Sequence, residues 1–339
     1  MKNILLPITL LCVITFVIVF SCKKTNKNST NGVTQSLNQL FSGLRTTPQS
    51  LNVTVGRDTI VYGIKGTILH FYSNSFKDAN GNIITNGNVN MQLMEMYTPG
   101  DMVRNRATTM ANGQILQSGG QVNIIATMNG QQVYANKYSI GFAQYNPSSQ
   151  PMALFYGSNT NTDSVVTWSA SDTTIQGNLS QYTILDTIWE YKTDSSSLSY
   201  VSPEYIFDSC INFKWINCDK FWSNNSPKTS VKVILPDNSY NANNTGLYLV
   251  LPAINSVLSN VQWGGSTSYN TSTHTLTLIS ESDTTIVPVG MNYEIAVITN
   301  KNGIYYYWQT SGVTTSGMTV TAVMAPSNQT DIVAKLQRL

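Results

Sequence analysis

Charged residues and histidines are scarce in this 339-residue chain, and both shortages exclude classes of function. Lys, Arg, Asp and Glu together make up 11% of the sequence, and the formal net charge is only +2. A nucleic acid is therefore not an expected partner, because its recognition depends on basic patches. His70 and His274 are the only histidines, which makes a Ser-His-Asp triad or a zinc cluster difficult to assemble. We expect no enzymatic activity, no cofactor and no metal site.

Glutamate, a strong helix former, is also rare, and the composition favours strands. Polarity comes from Asn, Ser, Thr, Gln and Gly, accompanied by 18 Tyr and 6 Trp residues. Apolar and polar residues alternate at Leu51, Val53 and Val55 and again at Val89, Met91 and Leu93. Gly119-Gly120 and Asn129-Gly130 are expected to separate successive strands. We predict an all-β fold class with two β-sandwich-like domains of the Ig-like or Greek-key type.

An apolar run occupies residues 4–20, directly after the short positive start Met1-Lys2-Asn3. This arrangement is typical of a secretory signal peptide. The run ends in Val19-Phe20-Ser21-Cys22, which resembles the lipobox of bacterial lipoproteins. The resemblance implies acylation of Cys22 and attachment to a lipid bilayer. An uncleaved membrane-spanning helix is the alternative, disfavoured because the run is short and contains Pro7 and Thr9.

The sequence divides into five segments, of which two are expected to form domains. Apolar residues at helical spacing also predict a short helix within 33–45 and a closing helix at 331–338. In chain order, the predicted segments are a signal peptide at 1–21, the lipidated cysteine with a flexible tether at 22–34, a first β-sandwich domain at 35–157, a Ser/Thr/Asp-rich connector with some strands at 158–204, and a second β-sandwich-like domain at 205–339.

The residues that follow the lipobox bear on localisation. The start Ser21-Cys22-Lys23-Lys24 resembles that of lipoproteins of the Bacteroidota, which implies a cell-envelope protein of the outer membrane. Surface-exported members of that group often carry acidic residues just after the cysteine, whereas this chain has lysines. We therefore expect the periplasmic face rather than the cell surface.

Five stretches carry a more specific resemblance. Four of them lie in the first half of the chain: Gly66-Thr67-Ile68, Asn74-Ser75-Phe76-Lys77-Asp78-Ala79-Asn80-Gly81-Asn82, Glu95-Met96-Tyr97-Thr98-Pro99-Gly100-Asp101-Met102 and Ser118-Gly119-Gly120. Together these four resemble a β-domain of uncharacterised two-domain lipoproteins of the Bacteroidota. The same region is more distantly similar to a β-domain of cartilage intermediate layer proteins. Trp215-Ile216-Asn217-Cys218-Asp219-Lys220-Phe221 resembles the second half of those lipoproteins. The resemblance implies a fold and no particular activity.

Cys210 and Cys218 are the only cysteines after Cys22, and an extracytoplasmic location allows a disulfide between them. If the residues between them formed one extended strand, the two would lie roughly 26 Å apart. A bridge requires Cα atoms within about 7 Å, so it would need a hairpin in between. A disulfide and two small buried thiols both remain open.

Asn217 and Asp219 flank Cys218 and could form a polar site. The preferred interpretation is a strand end that turns into a loop.

Five Asp-Ser/Thr pairs are each followed by an apolar residue or Thr, which resembles the acceptor site for O-glycosylation of exported Bacteroidota proteins. More aspartates are followed by this pattern than ordinary residue frequencies predict. The predicted acceptors are Thr59, Ser164, Thr173, Thr187 and Thr284.

Aromatic residues provide the best case for a bound ligand. The run Ile304-Tyr305-Tyr306-Tyr307-Trp308 places Tyr305 and Tyr307 on one strand face, and an exposed pair could stack on sugar rings. Trp263 is a weaker candidate for the same role. The preferred alternative is that these rings fill the core and an ordinary tyrosine-rich surface.

The expected function is that of a membrane-anchored envelope lipoprotein in non-enzymatic binding or scaffolding, with envelope proteins or glycans as partners. The alternative is a glycan-binding accessory lipoprotein of a nutrient-uptake system, which requires exposed aromatic rows. A hydrolase is the third option. It requires carboxylates such as Glu95 and Asp101 to converge in a deep pocket.

Overall fold

The fold class is all-β as predicted, and the part of the chain that the structure describes is 53% strand and 9% helix. A computed structural model describes residues 37–143, 151–158, 165–171, 176–180, 204–260, 269–278 and 285–339. The predicted signal peptide, Cys22 and the tether lie outside these ranges. None of the helices in the described part of the chain is long and apolar enough to span a bilayer.

The first fifteen strands build one large sheet and a small two-stranded one. Two helices accompany them, α1 (Leu37–Ser42) and α2 (Pro99–Asn105). The strands are β1 (Gln49–Thr54), β2 (Thr59–Tyr62), β3 (Ile68–Phe71), β4 (Phe76–Lys77), β5 (Asn88–Met96), β6 (Met110–Ala111), β7 (Gln114–Met128), β8 (Gln131–Gln132), β9 (Tyr134–Ala135), β10 (Tyr138–Ala143), β11 (Met152–Ser158), β12 (Thr167–Ala170), β13 (Gln176–Ser180), β14 (Glu204–Cys210) and β15 (Lys214–Phe221).

Two antiparallel runs of strands form the large sheet. The order β1-β5-β7-β15-β11 makes the first run, and β14-β10-β3-β2 makes the second. Strand β13 joins them, because it pairs with both β11 and β14. The edge strands β1 and β2 also approach each other, since Gln49 Nε2 donates a hydrogen bond to the carbonyl of Tyr62 at 3.1 Å.

The rest of the chain forms three smaller sheets and a closing helix, α3 (Gln329–Leu336), which the sequence predicted. Five strands follow the order β19-β18-β23-β24-β26, four follow β20-β21-β17-β25, and β16 pairs with β22. The strands are β16 (Lys228–Thr229), β17 (Val231–Ile234), β18 (Thr245–Leu251), β19 (Ser256–Ser259), β20 (Tyr269–Asn270), β21 (Thr275–Thr277), β22 (Val287–Pro288), β23 (Asn292–Lys301), β24 (Ile304–Val313), β25 (Met318–Thr321) and β26 (Ala325–Ser327).

Three apolar cores hold these sheets together, and one of them draws on both ends of the chain. The first core fills the space enclosed by the large sheet: Val53, Leu69, Phe71, Leu93, Val122, Tyr138, Phe142, Phe207 and Ile216. The third lies within the later strands: Val231, Val233, Leu247, Leu249, Leu276, Ile295 and Val297. The second combines early and late residues: Phe41, Met102, Leu116, Phe155, Trp168, Tyr248, Ile298, Ile332 and Leu336.

The strand pairing departs from the sequence-based segmentation in one respect. The second domain was predicted to begin at residue 205, but β14 pairs with β10 and β15 pairs with β7 and β11, all of which lie in the predicted first domain or at its end. Residues Val33–Leu339 also form one compact unit. Two β-sandwich-like domains with separate cores are therefore not distinguished here, because the second core joins both parts.

Gly119-Gly120 was predicted to separate two strands, and it does not. Strand β7 runs unbroken over 15 residues, and the register of β15 on it shifts between Asn217 and Asp219. An irregularity of this kind takes up extra residues without ending the strand. Asn129 and Gly130 form the predicted tight turn, with φ of 52° and 76° that only such residues adopt readily.

Candidate functional site

Residues that carry the predicted resemblance come together around the end of β5 and the middle of β7 and β15. Strand β7 pairs with β5 on one side and with β15 on the other, and Gln121 lies opposite both Met96 and Asn217. The polar side chains gathered there are buried: Thr67, Glu95, Tyr97, Asp101, Ser118, Gln121, Asn217 and Asp219. This buried polar cluster is the candidate site.

Glu95 binds the main chain of the turn that joins β2 to β3, residues 63–67. Its Oε2 accepts a hydrogen bond from the Lys65 N–H at 2.9 Å, and its Oε1 accepts one from the Thr67 N–H at 3.0 Å. The side chain is only 4% exposed. Two backbone donors satisfy a buried carboxylate that would otherwise be costly to desolvate.

Asp101 holds the same turn through an ion pair and also caps the N-terminus of α2. Its Oδ1 lies 2.7 Å from Lys65 Nζ, with the lysine side chain 30% exposed. Asp101 and Thr98 form a reciprocal capping box, in which the Asp101 N–H donates to Thr98 Oγ1 at 3.2 Å. The carboxylate therefore closes the first turn of the helix and neutralises the lysine at the same time.

Two glycines make this geometry accessible. A Cβ atom on Gly63 would lie 2.2 Å from Glu95 Oε1, so only glycine lets the carboxylate approach the turn this closely. Gly66 has a φ of +100°, which L-residues with side chains rarely adopt. The sequence Gly63-Ile64-Lys65-Gly66 thus forms a turn that an acidic side chain can approach closely enough to accept hydrogen bonds from its backbone.

Tyr97 connects the turn to the rest of the cluster. Its hydroxyl lies 2.9 Å from Thr67 Oγ1 and accepts a hydrogen bond from the Ala143 N–H at 3.3 Å. Burial, in the first place, raises the pKa of the Tyr97 hydroxyl well above its ordinary value, and the nearby Glu95 raises it further. The phenol therefore remains neutral and acts as a hydrogen-bonding group.

Asp219 lies on β15, across β7 from Glu95, and its carboxyl group is less completely hydrogen-bonded. Its Oδ2 accepts a hydrogen bond from Asn217 Nδ2 at 2.5 Å, and Ser118 and the Gly119 N–H also bond to the carboxyl. Within the described residues, Oδ1 has no hydrogen-bond partner. Burial raises the pKa of Asp219 well above its ordinary value, although these hydrogen bonds lower it.

The interpretation of Asn217 and Asp219 as the end of a strand is therefore wrong. Both residues are fully buried within β15, on the face opposite to Ile216 and Cys218, which belong to the first core. Trp215 shares the polar face and packs against the second core. The alternation predicted for this stretch is present, but the sequence did not indicate that both of its faces would be covered.

The carboxylates expected of a hydrolase have other bonding partners here. Glu95 binds two backbone amides, and Asp101 binds a lysine and caps a helix. No three His, Cys, Asp or Glu side chains in the described ranges come together in a way that could hold a metal ion. Glu95 and Asp101 hold the 63–67 turn in place.

Cys210 and Cys218 are both buried free thiols, so the structure does not contain the disulfide that the spacing left open. Cys210 ends β14, whereas Cys218 lies in the middle of β15, and the two strands pair with different neighbours. Burial raises the pKa of both thiols well above the ordinary value, so neither is an activated nucleophile.

The aromatic run on β24 packs on both faces. Tyr307 is only 5% exposed and belongs to the second core, against which Tyr305 also packs, while Tyr306 and Trp308 pack against the third core. Tyr307 is thus not an exposed stacking surface, because β24 lies between two cores. Trp263 lies outside the described residues.

Of the predicted modification sites, the structure describes Thr59 alone. It begins β2 and is partly exposed beside the exposed Asp58, and its Oγ1 lies 3.4 Å from the carbonyl of Thr54. Four further sites lie outside the described residues, as does the lipid-attachment site: Ser164, Thr173, Thr187, Thr284 and Cys22.

Sequence reasoning missed Gln49, Ile64 and Lys65. Gln49 Oε1 accepts a hydrogen bond from the Ile64 N–H at 2.9 Å, and Lys65 makes the ion pair with Asp101. The paired glycines at 63 and 66 were the available signal, since they mark a turn of unusual geometry. The bonding partners of this turn were not predictable, because they come from three separate elements, β1, β5 and α2.

No known family model matches this chain, and a search of curated proteins finds no similar sequence. The resemblance to lipoproteins of the Bacteroidota therefore stays a prediction.

Proposed function

We propose that this chain is a membrane-anchored envelope lipoprotein that acts by non-enzymatic binding or scaffolding. The observation that carries the proposal is the use of its buried carboxylates. Glu95 and Asp101 both hold the 63–67 turn in place, through two backbone hydrogen bonds and one ion pair. Buried charges used in this way support a fixed surface shape, which is what a binding protein needs.

The bonding of Glu95 argues against a role in proton transfer. A general acid or base must come within hydrogen-bond reach of a substrate, and its pKa must suit that task. Both Glu95 oxygens are instead directed at main-chain donors inside the protein, with the side chain 4% exposed. To bind a substrate, this carboxylate would first have to release the turn.

The lipobox supports the membrane anchor in the proposal. Cys22 follows an apolar run and a small residue, and a polar stretch separates it from α1. One acyl chain holds a protein only marginally at a bilayer, whereas two or three make release very slow. A binding protein anchored in this way would remain at the envelope while its surface contacts partners.

Metabolic labelling with an alkyne analogue of palmitate tests the anchor. We expect label on the wild-type chain and loss of label from Cys22→Ala, because the thiol is the attachment point. Cys12→Ala is the matched control, since Cys12 lies inside the apolar run and would leave with the signal peptide. Persistent label on Cys22→Ala, or an unlabelled wild type, would contradict the proposal.

Protease treatment of intact cells tests the predicted face of the membrane. The lysines that follow Cys22 lead us to expect a protected chain that becomes accessible only after the outer membrane is opened. Degradation in intact cells would place the protein at the cell surface instead.

A further inference from the structure

The tip of the 63–67 turn bears an exposed apolar side chain. Ile64 is 78% exposed, more than any other large hydrophobic residue that the structure describes. Tyr62, which precedes the turn, is 41% exposed. Single exposed apolar residues are ordinary on protein surfaces, so this exposure alone carries no conclusion.

What distinguishes Ile64 is the fixed backbone beneath it. All five consecutive N–H groups of residues 63–67 donate hydrogen bonds within the protein, to acceptors on the turn itself and on β1 and β5. The acceptors are the Thr67 carbonyl at 2.7 Å for Gly63, Gln49 Oε1 at 2.9 Å for Ile64, Glu95 Oε2 at 2.9 Å for Lys65, the Gly63 carbonyl at 3.1 Å for Gly66 and Glu95 Oε1 at 3.0 Å for Thr67.

Charge at the tip is compensated as well. Lys65 is the only charged residue of the turn, and its ammonium lies 2.7 Å from the buried carboxylate of Asp101. The turn therefore presents an aliphatic side chain without a free charge beside it. This chemistry suits an apolar surface rather than an acidic or phosphorylated one.

We propose that Ile64 is a preorganised anchor that enters an apolar pocket of another envelope protein. The inference deepens the proposed binding function and rests on it. A rigid loop loses little conformational freedom on binding, so fixing the five amides in advance favours association with a partner of fixed shape. Aliphatic or aromatic anchors in such pockets carry much of the affinity of many protein interfaces.

The bilayer is a less suitable occupant for this side chain. A fluid interior accepts an apolar group in any orientation, so five fixed amides would add nothing to membrane binding. Basic residues that attract anionic headgroups are also missing from the tip, because Lys65 is paired with Asp101. A pocket of defined shape explains both the rigidity and the compensated charge.

Site-specific photo-crosslinking in intact cells tests the proposal with the full-length chain. A photoreactive amino acid replaces Ile64, and a matched chain carries it at Val323, which is 74% exposed. We expect one discrete protein adduct from position 64 and none from position 323. The partner identified from that adduct is then purified, and its affinity for the wild-type protein is measured.

Two substitutions then separate a specific pocket from incidental contact. Ile64→Ser should weaken binding to the purified partner roughly 10- to 100-fold, the usual effect of removing an interface anchor. Val323→Ser should leave the affinity unchanged. Glu95→Gln keeps Ile64 but leaves one acceptor oxygen for two backbone amides, so it should weaken binding and speed exchange of the released amide, at 65 or at 67. If Glu95→Gln fails to fold, Gln49→Ala replaces it, because this variant frees the Ile64 amide and, on the preceding strand, the Tyr62 carbonyl.

Several results would overturn the proposal. A lipid adduct alone would assign Ile64 to the bilayer, and an adduct with a second copy would assign it to self-association. The same adducts from both positions, or no adduct from position 64, would also reject it, as would unchanged affinity of Ile64→Ser. The palmitate experiment concerns Cys22 and not Ile64. Failure of the anchor and failure of the pocket are therefore distinguishable.

Discussion

Glu95 and Asp219 are two buried acidic residues that the fold satisfies to very different degrees. Each Glu95 oxygen accepts a backbone N–H, from Lys65 and from Thr67. Asp219 Oδ2 accepts a hydrogen bond from Asn217, whereas Asp219 Oδ1 has no hydrogen-bond partner among the residues that the structure describes. An unpaired buried oxygen favours the protonated form, which agrees with the raised pKa of this carboxyl.

Asp219 should make the stability of the protein depend on pH. A carboxyl with a raised pKa binds its proton more tightly in the folded state than in the unfolded state. Its contribution is fully present below the unfolded pKa of about 3.9 and is lost as pH rises through the folded pKa. We expect the free energy of unfolding to fall by up to about 1.4 kcal/mol per pH unit over that interval. Urea denaturation at a series of pH values measures it.

The matched variant is Asp219→Asn, which has the same shape and does not titrate. The difference in unfolding free energy between the wild type and this variant isolates the contribution of Asp219 from that of all other groups. From pH 4 upwards, the unfolding free energy of the wild type should fall relative to that of Asp219→Asn. A difference independent of pH would show that Asp219 has an ordinary pKa in the folded protein.

At the scale of elements, the short helix α3 depends on its cap and on packing against the rest of the fold. Helix α3 has eight residues, too few to be stable alone in water. Asn328 caps it by accepting the Asp331 N–H at 2.9 Å, and Leu336 is buried in the second core. The carbonyl of Leu336 would lie 1.9 Å from a Cβ on Gly100, so α3 and α2 are in close contact.

Leu336→Ala should therefore be strongly destabilising. Removal of a fully buried leucine leaves a cavity and costs about 2–5 kcal/mol of unfolding free energy. Thr330→Ala on the exposed side of the same helix should change stability by less than about 0.5 kcal/mol. Urea denaturation compares the two variants. Equal, small effects would mean that α3 is not part of the cooperative fold.

The same scale shows how far element prediction reached. Alternation in the sequence predicted β1 and β5, because each has one face in an apolar core. Helix α2 was not predicted, since Pro99-Gly100 resembles a turn until Thr98 and Asp101 are seen to form a capping box. Gly119-Gly120 was predicted to separate two strands, but Gly120 lies inside β7. Glycine is required there because the ring of Tyr97 occupies the space that a side chain would need.

At the scale of the whole molecule, the second core binds the early and late parts of the chain to each other. Met102 and Trp168 pack there with Tyr248 and Leu336. Hydrogen bonds cross at the same place, since the Thr109 N–H donates to the Val257 carbonyl at 2.9 Å. The described residues between 37 and 339 are therefore expected to unfold as one cooperative unit.

A fragment that ends at residue 204 tests this expectation. It corresponds to the predicted first domain and connector, and it lacks β14 and β15. Loss of these strands removes neighbours of β7, β10 and β11 and takes Phe207 and Ile216 from the first core. We expect a non-cooperative urea transition by circular dichroism, whereas the chain from 33 to 339 should show a single sharp one.

The companion fragment ends at residue 221 and restores both strands. It should recover part of the native β-sheet signal, because the large sheet is then complete, but it should remain less stable than the full chain without α3 and β23 over the second core. A fragment ending at 204 that folds cooperatively would support the sequence-based boundary instead.

The sequence by itself determined the strand-rich fold and the tight turns, and the lipid anchor at Cys22 stays a prediction from the lipobox-like motif. These features are local: alternation, turn dipeptides and the apolar run depend on residues that are close in sequence. The clamp on the 63–67 turn was decided only by the tertiary structure. Glu95, Gln49 and Asp101 reach it from separate elements, and no local pattern indicates which distant side chain will satisfy a given backbone amide. The exposure of Ile64 on that fixed turn follows from the same long-range contacts.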